Sequence, residues 1–363
     1  MSEKSVENGV KKSGISAKRD FYVSEETYAR EMKDTVLPFL EERRYDGYFN
    51  GYDGNALHYV RYVAAPQDTG KCADERAKSA VKKTVIISHG FTESAEKWRE
   101  TAYYFLKEGY NVYIPEHRGH ALSYRKTADK TLTHIDRFSE YTDDFGIFAE
   151  KVREENEGEI YLFAHSMGCA IGLLYMEEKP DFFRKAFLSS PMIVPNPGKV
   201  PLWLARFLMK CAVALGKTEK RAFISSAYPG DEKFEDSART SRTRFEDYNQ
   251  FKRTHEDYQN YSSSYGWVYN SLIVGGKILK KGAAEKVKTP VFIAAAENDT
   301  LVLRKPQVAL SKRLKNCEFR VFSGAKHEIY GSSDDVAFVY FDTLFDFFAA
   351  PESACGSAEA SPG

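Results

Sequence analysis

Residues 159–176, EIYLFAHSMGCAIGLLYM, contain a short apolar strand that runs directly into an apolar helix with a serine at the junction. The fold class is inferred from this junction. Residues 159–165 have the continuous apolar character of a strand buried on both faces. Small residues two positions either side of Ser166 allow the backbone to turn sharply, and a serine on such a turn is held out of the fold. The pattern therefore predicts a candidate nucleophile at Ser166, at the end of a parallel strand.

Short apolar strands alternate with helical patterns on both sides of this junction. The predicted strands are TVIISHG (84–90), YNVYIPEHRGH as strand and loop (110–120), EIYLFAHS (159–166), KAFLSSP (185–191), PVFIAAAEND (290–299) and CEFRVFSGAKH (317–327). A hairpin around the Asp53-Gly54 turn signal precedes them. Serial alternation of this kind predicts an α/β fold with a mostly parallel central sheet flanked by helices.

The alternation is interrupted between about 191 and 285, where the sequence is aromatic, basic and helix-like with no clear strand. We interpret this stretch as a helical cap or lid inserted into a core formed by residues 21–190 and 286–349. The polar ends, residues 1–20 and 350–363, are predicted to be disordered tails, and residues 66–83 to be a polar loop.

Composition excludes several classes of function. Apolar residues make up 42% and charged residues 29%, and the formal net charge is zero, so no global basic field indicates nucleic acid. The five cysteines are scattered without a CxxC pair, which favours reduced thiols in a cytoplasm over a disulfide scaffold or a metal site. No Gly-x-Gly-x-x-Gly follows the first parallel strand, which argues against a dinucleotide cofactor.

The cellular location is predicted from the composition of the N-terminus and from the lengths of the apolar runs in the sequence. The first residues carry no apolar segment typical of a signal peptide, and no run of 18 apolar residues occurs. We therefore predict a cytoplasmic protein. Peripheral contact with the inner face of the membrane stays open, because it requires only an amphipathic or aromatic surface.

An exposed serine needs a base to take its proton and an acid to orient that base. Asp299 ends the segment 290–299, in the loop beyond its strand, and His327 ends the segment 317–327 in the same way, so both follow carboxyl ends of parallel strands as Ser166 does. The order Ser, Asp, His is that of α/β-hydrolases. We predict Ser166 as nucleophile, His327 as general base and Asp299 as the orienting acid, with Glu297 as the alternative acid.

Two backbone amides are expected to stabilise the oxyanion of an acyl-transfer reaction. One is that of Met167, the first residue after the nucleophile at the helix N-terminus. The other is that of Phe91, which follows a strand and the turn-forming pair His89-Gly90. The segment 117–120 is predicted to structure its loop beside the nucleophile rather than to act in the chemistry, and His165 is predicted to be a packing residue.

Several motifs together resemble the bacterial lysophospholipase and monoacylglycerol lipase branch of the α/β-hydrolases, over roughly residues 45–348. They are HGFTESAEKW, EHRGHALS, AHSMGCAIG, LSSPM, SYGWVYNS, AENDTLV and KHEIYGSSDDV. Ala164, Ala121 and the pair Tyr330-Gly331 depart from the usual pattern. The resemblance implies hydrolysis of one acyl ester of a lysophospholipid or monoacylglycerol through an acyl-Ser166 intermediate, without a cofactor, and a cap that forms an apolar acyl channel.

Two features of the cap have open interpretations. The apolar, helix-like segment 201–216 could contact a bilayer, line an acyl pocket or simply pack on the core. Arg239, Arg242 and Arg244 could bind a phosphate or form ion pairs. The same fold also accommodates peptidases and acyltransferases, and a catalytically silent binding protein is the alternative from another class of function.

Overall fold

The structure is a computed structural model that describes residues 19–64 and 83–351. The predicted tails therefore lie outside the described residues except for residues 19, 20, 350 and 351. The predicted polar loop 66–83 lies outside them except for Lys83, which begins a strand.

The described residues form the following elements. The strands are β1 Arg44–Asn50, β2 Ala56–Tyr62, β3 Lys83–Ser88, β4 Tyr110–Pro115, β5 Leu132–Thr133, β6 Glu159–His165, β7 Ala186–Ser189, β8 Ser262–Ser263, β9 Val291–Ala296 and β10 Cys317–Phe322. The α-helices are α1 Tyr28–Glu31, α2 Leu37–Glu41, α3 Arg99–Lys107, α4 Ser139–Glu155, α5 Met167–Glu178, α6 Leu202–Ala214, α7 Arg242–Thr254, α8 Tyr265–Ile278, α9 Arg304–Ser311 and α10 Asp334–Ala349.

An eight-stranded sheet runs through the middle of the molecule in the order β1-β2-β4-β3-β6-β7-β9-β10. The strands from β4 to β10 pair in parallel, whereas β2 pairs antiparallel with both β1 and β4. The antiparallel pair is the predicted hairpin. The prediction of a mostly parallel sheet flanked by helices is confirmed, and the carboxyl ends of its parallel strands meet at one edge.

Each face of the sheet carries its own apolar core. One core contains α4 and α5 and is completed by α8, with Phe145, Leu162 and Leu272 among its buried members. The other is rich in aromatic residues and contains α3 and α10, with Trp98 and Phe341 among its members. Because both faces are covered, the inner strands are apolar throughout rather than alternating in polarity.

A helical segment near the N-terminus was not predicted. It consists of α1 and α2 joined by a π-helical turn at Met32–Val36, and its residues Tyr28, Met32 and Leu40 belong to the aromatic core. Just before it, Arg19 bonds Glu108 at 2.6 Å and also pairs with Asp342 of α10. The chain is therefore fastened to the core from residue 19 onward.

The insertion between β7 and β9 contains α6, α7, β8 and α8. The prediction that it holds no strand is wrong at β8, which pairs in parallel with β5 from the loop after β4. Two-residue strands leave no hydrophobic period to read, so only the long-range pairing reveals them. Helix α8 lies against the core, where a side chain at Gly275 would collide with the carbonyl oxygen of Ile193. Within residues 19–64 and 83–351, no helix has the length and apolar content needed to cross a membrane.

Candidate active site

Ser166 occupies a strained turn between β6 and α5. Its backbone has φ 50° and ψ −112°, in the left-handed half of conformational space that a side chain rarely adopts. A Cβ at Gly168 would collide with the carbonyl oxygen of Ser88, so only glycine allows α5 to approach β3 this closely. Ala164 is fully buried within β6, where its methyl group is accommodated. The turn therefore keeps its shape with alanine at the first small position.

Ser166 forms one end of a hydrogen-bonded chain of three side chains. Its Oγ lies 2.9 Å from Nε2 of His327, and Nδ1 of His327 lies 2.7 Å from Oδ2 of Asp299. Burial alone would raise the pKa of Asp299, but hydrogen bonds from His327 and from the amides of Leu301 and Val302 outweigh it and lower that pKa. The structure thus brings together all three residues predicted to carry the chemistry.

The alternative acid, Glu297, is directed elsewhere. It is exposed, and its Oε2 accepts a hydrogen bond from the amide of Gly324 at 2.9 Å. The backbone of His327 is held from behind, because Oγ of Ser190 donates to the His327 carbonyl at 2.7 Å. The ring of His165 packs beside that of His327 at 4.9 Å between centroids.

Among residues 19–64 and 83–351, four residues other than glycine have positive φ, and all of them follow neighbouring parallel strands at this edge. They are Thr92 after β3, Ala121 after β4, Ser166 after β6 and Ser190 after β7. Such conformations cost of order 1–3 kcal/mol each and persist only where surrounding contacts hold them. Ala121 is one of the departures from glycine, and its φ of 42° explains why glycine suits that position.

The two predicted oxyanion donors follow neighbouring parallel strands of the sheet, β3 and β6. Met167 is the first residue of α5, and Phe91 follows β3 in a turn where the amide of Gly90 donates to Oε2 of Glu93 at 2.6 Å. The Phe91 ring lies 3.8 Å from that of Trp267 on α8. Their positions suit the predicted role, which stays a prediction.

A buried charged network behind the triad was not predicted. Glu93 accepts a hydrogen bond from the Tyr330 hydroxyl at 2.8 Å and lies 3.1 Å from Nδ1 of His165. Lys97 bridges Glu93 at 3.2 Å and Glu328 at 2.7 Å. The sequence signal available for this network was Glu93, three residues after Gly90, with Lys97 four positions further along. The network joins the loop of Phe91 to the loop of His327.

Burial and charge oppose each other in the pKa values of this network. Burial raises the pKa of Glu93, but His165 and Lys97 outweigh it and hold the pKa well below its usual value. At Glu328, burial raises the pKa and the positive charges of Lys97 and Arg239 lower it, and the net result is a pKa of about 2. Both carboxylates are therefore ionised at neutral pH, which gives the buried cations their partners.

The histidines at 117 and 120 stabilise loops, as predicted. The amide of His117 donates to Nε2 of His89 at 2.9 Å, so His89 carries its proton on Nδ1, which donates to the Gly90 carbonyl at 2.7 Å. Burial lowers the pKa of all three rings, that of His120 to about 3. They act as neutral hydrogen-bonding groups that hold the loops after β3 and β4 together.

The three arginines considered for phosphate binding have separate surroundings. Arg242 is exposed and pairs with Glu235 at 3.0 Å. Arg244 is buried and pairs with Glu100 and Asp334, each at 3.0 Å. Arg239 is buried and bonds Glu328 at 2.6 Å beside the active site. Only Arg239 lies near the triad. Within the part of the chain that the structure describes, no group of three or more histidine, cysteine or acidic side chains could hold a metal ion.

Comparisons with known proteins agree with this geometry. A family model described as Hydrolase_4, serine aminopeptidase S33, matches residues 79–334. The chain is 27% identical over 350 residues to lysophospholipase L2 of Escherichia coli strain K12, covering 93% of this chain and 97% of that protein. It is 29% identical over 305 residues to a probable lysophospholipase L2 of Haemophilus influenzae, covering 83% and 90%.

Similarity to solved structures concerns the fold. The crystal structure of a soluble variant of monoglyceride lipase from Saccharomyces cerevisiae, in complex with a substrate analogue, superposes with a TM-score of 0.61 at 18% identity. The match covers 83% of this chain and 94% of that one. At this identity the likeness concerns the fold alone, the sheet and its surrounding helices.

Proposed function

We propose, from the premise that this chain belongs to the Hydrolase_4 family described as serine aminopeptidase S33, that it hydrolyses the single acyl ester of a monoacyl lipid. The observation that carries the proposal is the hydrogen-bonded chain from Ser166 through His327 to Asp299. The chain is a serine hydrolase of the lysophospholipase and monoacylglycerol lipase branch, the one its motifs resemble. What is proposed is the substrate and the part each residue plays.

In the first half-reaction, Nε2 of His327 takes the proton of Ser166 while Oγ attacks the ester carbonyl carbon. The amides of Phe91 and Met167 donate hydrogen bonds to the oxyanion that forms. Asp299 stays ionised and stabilises the imidazolium. When the tetrahedral intermediate collapses, His327 gives its proton to the departing alcohol oxygen, and the acyl group remains on Ser166.

In the second half-reaction, His327 takes a proton from water, whose oxygen attacks the acyl carbon. Collapse returns the proton to Ser166 and releases the fatty acid. Every proton moves through one ring, which must keep its position through both steps. The carbonyl of His327 is fixed by Ser190, and the ring packs against His165, so the immediate surroundings provide that fixed position.

The lipid part of the proposal rests on the relatives and on the surface of the insertion. Two relatives carry the name lysophospholipase L2. Large apolar side chains are exposed around α6, with Trp203 70% and Leu215 73% accessible. Exposed apolar groups of this size mark interaction surfaces in soluble folds. The family description names an aminopeptidase, and a peptidase or acyltransferase activity is the alternative.

Labelling with a fluorophosphonate tests the nucleophile. We expect covalent modification of the wild type at Ser166 and none of Ser166→Ala. His327→Ala should lower kcat by at least about a thousandfold while the protein stays folded, and Glu297→Gln should have little effect. A folded wild type that takes no label would overturn the proposal.

Substrate class needs a second measurement. We expect kcat/KM for lysophospholipids and monoacylglycerols to exceed that for an aminoacyl anilide, and to rise with acyl chain length. A reversed preference would establish the peptidase alternative. Transfer of the acyl group to an added alcohol in preference to water would establish the acyltransferase.

We also propose that the surface around α6 contacts the membrane, the cytoplasmic location remaining a prediction. Its exposed apolar side chains are Trp203, Phe207, Leu208, Leu215, Phe223 and Ile224. Exposed lysines lie among them in the chain, at positions 199, 210, 217 and 220. An apolar surface with basic neighbours suits the interface of a bilayer that contains anionic lipid.

Cosedimentation with vesicles that contain phosphatidylglycerol tests this contact. Replacing both Trp203 and Phe207 by serine should lower the bound fraction several-fold, because each buries apolar area in the interface. Tyr48→Ser is the matched control, since Tyr48 is an equally exposed aromatic residue on β1, outside the insertion. Equal binding of both variants would exclude this surface as the contact.

A further inference from the structure

A charged cavity of about 260 Å³ lies beside the active site. Its lining includes Phe91, Leu301 and Glu328. Leu301 donates its amide to Asp299, and Glu328 follows His327 in the chain, so the cavity touches the loops of Phe91, Asp299 and His327. The remaining wall comes from the insertion, between residues 232 and 261.

Three cationic side chains line this cavity. They are Lys97 from the core and Arg239 and Lys252 from the insertion. The ammonium groups of Lys97 and Lys252 lie 5.5 Å and 5.9 Å from the centroid of one ring, that of Tyr248. Burying an acyl chain against such groups would remove their solvation without replacing it. The walls suit the polar part of a substrate instead.

One cationic nitrogen at this cavity is unused. Arg239 is only 6% exposed, and its Nη2 has no hydrogen-bond partner among residues 19–64 and 83–351. Its Nε bonds Glu328, and its Nη1 donates to the carbonyl of Arg244. A buried guanidinium N–H without an acceptor is costly. Because this nitrogen has almost no accessible surface, the Arg239 side chain has to shift to bring it to an acceptor on a bound molecule.

Glu232, the carboxylate that pairs with Lys252, is the group that an anionic ligand can replace. The Lys252 ammonium is buried among the rings of Tyr228, Tyr248 and Tyr261, donates to the Asn260 carbonyl at 3.1 Å, and pairs with Glu232. The side chain of Glu232 is 27% exposed, whereas that of Lys252 is only 4% exposed. The carboxylate can therefore turn toward solvent or toward a ligand, while the ammonium cannot, and the buried ammonium then requires a new anionic partner.

We propose that this cavity is a head-group subsite in which Lys97, Arg239 and Lys252 hold the phosphate of a phosphodiester. Glu232, released from Lys252, and the exposed Asp236 face a terminal ammonium group on the same ligand. When the head group binds, the ion pair between Lys252 and Glu232 is replaced by two, one between Lys252 and the phosphate and one between Glu232 and the ammonium. A zwitterion adds no net charge to the site, whose cations already have acidic partners. A zwitterionic head group such as phosphoethanolamine fits this balance, whereas an anionic one leaves a buried excess of negative charge.

The inference rests on the proposed hydrolysis at Ser166, because the loops that carry Asp299 and His327 form part of the cavity wall. Binding can nevertheless be measured without turnover. We expect glycerophosphoethanolamine to bind Ser166→Ala in calorimetry, and glycerol and glycerol 3-phosphate to bind more weakly. Adding Lys252→Met should weaken glycerophosphoethanolamine binding about 10- to 100-fold, the loss expected for a charge-assisted hydrogen bond.

Turnover gives the specificity. Lys252→Met should lower the ratio of kcat/KM for lysophosphatidylethanolamine to that for a monoacylglycerol of the same chain by a similar factor, and Lys252→Arg should restore most of it. Lys315→Met is the control, since Lys315 is an exposed lysine just before β10, at the amino end of the strand. Glu232→Gln, an exchange of a partly exposed side chain, should shift binding toward glycerol 3-phosphate.

The outcomes separate the two proposals. An unchanged substrate ratio in folded Lys252→Met, or tighter binding of glycerol 3-phosphate than of glycerophosphoethanolamine to Ser166→Ala, would overturn the subsite while leaving hydrolysis intact. Absence of fluorophosphonate labelling, with glycerophosphoethanolamine binding retained, would overturn the hydrolysis alone. If Lys252→Met fails to fold, the response of Glu232→Gln decides.

Discussion

Helices α6 and α7 of the insertion differ in how they meet the rest of the protein. Helix α6 buries Met209 alone among its residues, and its large apolar side chains face outward. Helix α7 buries five residues, among them Arg244 and Lys252, and is fastened to the core by ion pairs. One part of the insertion is a free surface and the other is a fixed wall.

The contrast between α6 and α7 shows that two parts of one inserted segment can meet different physical requirements. A wall that recognises a charged head group has to be rigid, because each ion pair depends on distances within a few tenths of an ångström. A surface that contacts lipid needs exposed apolar area and little internal order. Tyr248 on α7 reaches the loop of Phe91 through a hydrogen bond of 3.1 Å to Ser94, so the fixed wall is continuous with the active site.

Removing the ion pairs that attach Arg244 of α7 to the core should have the largest effect on the free energy of unfolding. Arg244 is 1% exposed and also donates to the Val23 carbonyl at 2.8 Å, so Arg244→Met leaves several buried acceptors without a partner. We expect a loss of about 3–5 kcal/mol in the free energy of unfolding, measured by urea denaturation. Arg242→Met, in the same helix but exposed, should change it by less than about 0.5 kcal/mol. Similar losses in both variants would contradict the comparison.

A matched pair of phenylalanines tests the same contrast without charge. Phe245 of α7 is 7% exposed and Phe207 of α6 is 57% exposed. Phe245→Ala should cost about 3 kcal/mol in the free energy of unfolding, because it opens a cavity, whereas Phe207→Ala should stay within about 0.5 kcal/mol. A large loss at Phe207 would mean that α6 is more tightly packed than its exposure indicates.

Acid should weaken the fixed wall through Glu328. Its pKa of about 2 lies below the unfolded value near 4.5, so it contributes stability that is fully present above about pH 5 and is lost as pH falls toward 2. The wild type should therefore lose on the order of 3 kcal/mol through this group over that range. In urea denaturation at pH 7, 5 and 3.5, the stability difference between wild type and Glu328→Gln should shrink with falling pH. A constant difference would exclude this linkage.

The sheet and the edge that carries the site could be predicted because their signals are local. Each inner strand is a short apolar run, and Ser166, Asp299 and His327 each follow one of these strands. Glu93 and Glu328, by contrast, are 235 positions apart and share Lys97, a pairing that no local period reveals. The same holds for β8 and β5, which are each two residues long.

The arginines show why charge clusters are hard to interpret from sequence. Arg239, Arg242 and Arg244 stand close together in the chain, yet the first faces the active site, the second is exposed and the third is buried on the opposite side of α7 from solvent. Arg239 precedes α7, whereas Arg242 and Arg244 lie on different faces of its first turn, and the acids that pair with Arg239 and Arg244 come from distant parts of the chain. The cation that we place at the head group with Arg239, Lys252, lay outside the predicted cluster.

The attachment of Arg244 has a consequence for the order in which the molecule is completed during synthesis. Its guanidinium contacts Val23 and Glu100, which precede it in the chain, and Asp334, which follows it by 90 positions. While the ribosome is still adding those later residues, α7 has only part of its anchorage, and His327 has not yet emerged. The wall beside the active site and the base within it therefore become available almost together, so a nascent chain gains its hydrolase activity only after residue 334 has been added.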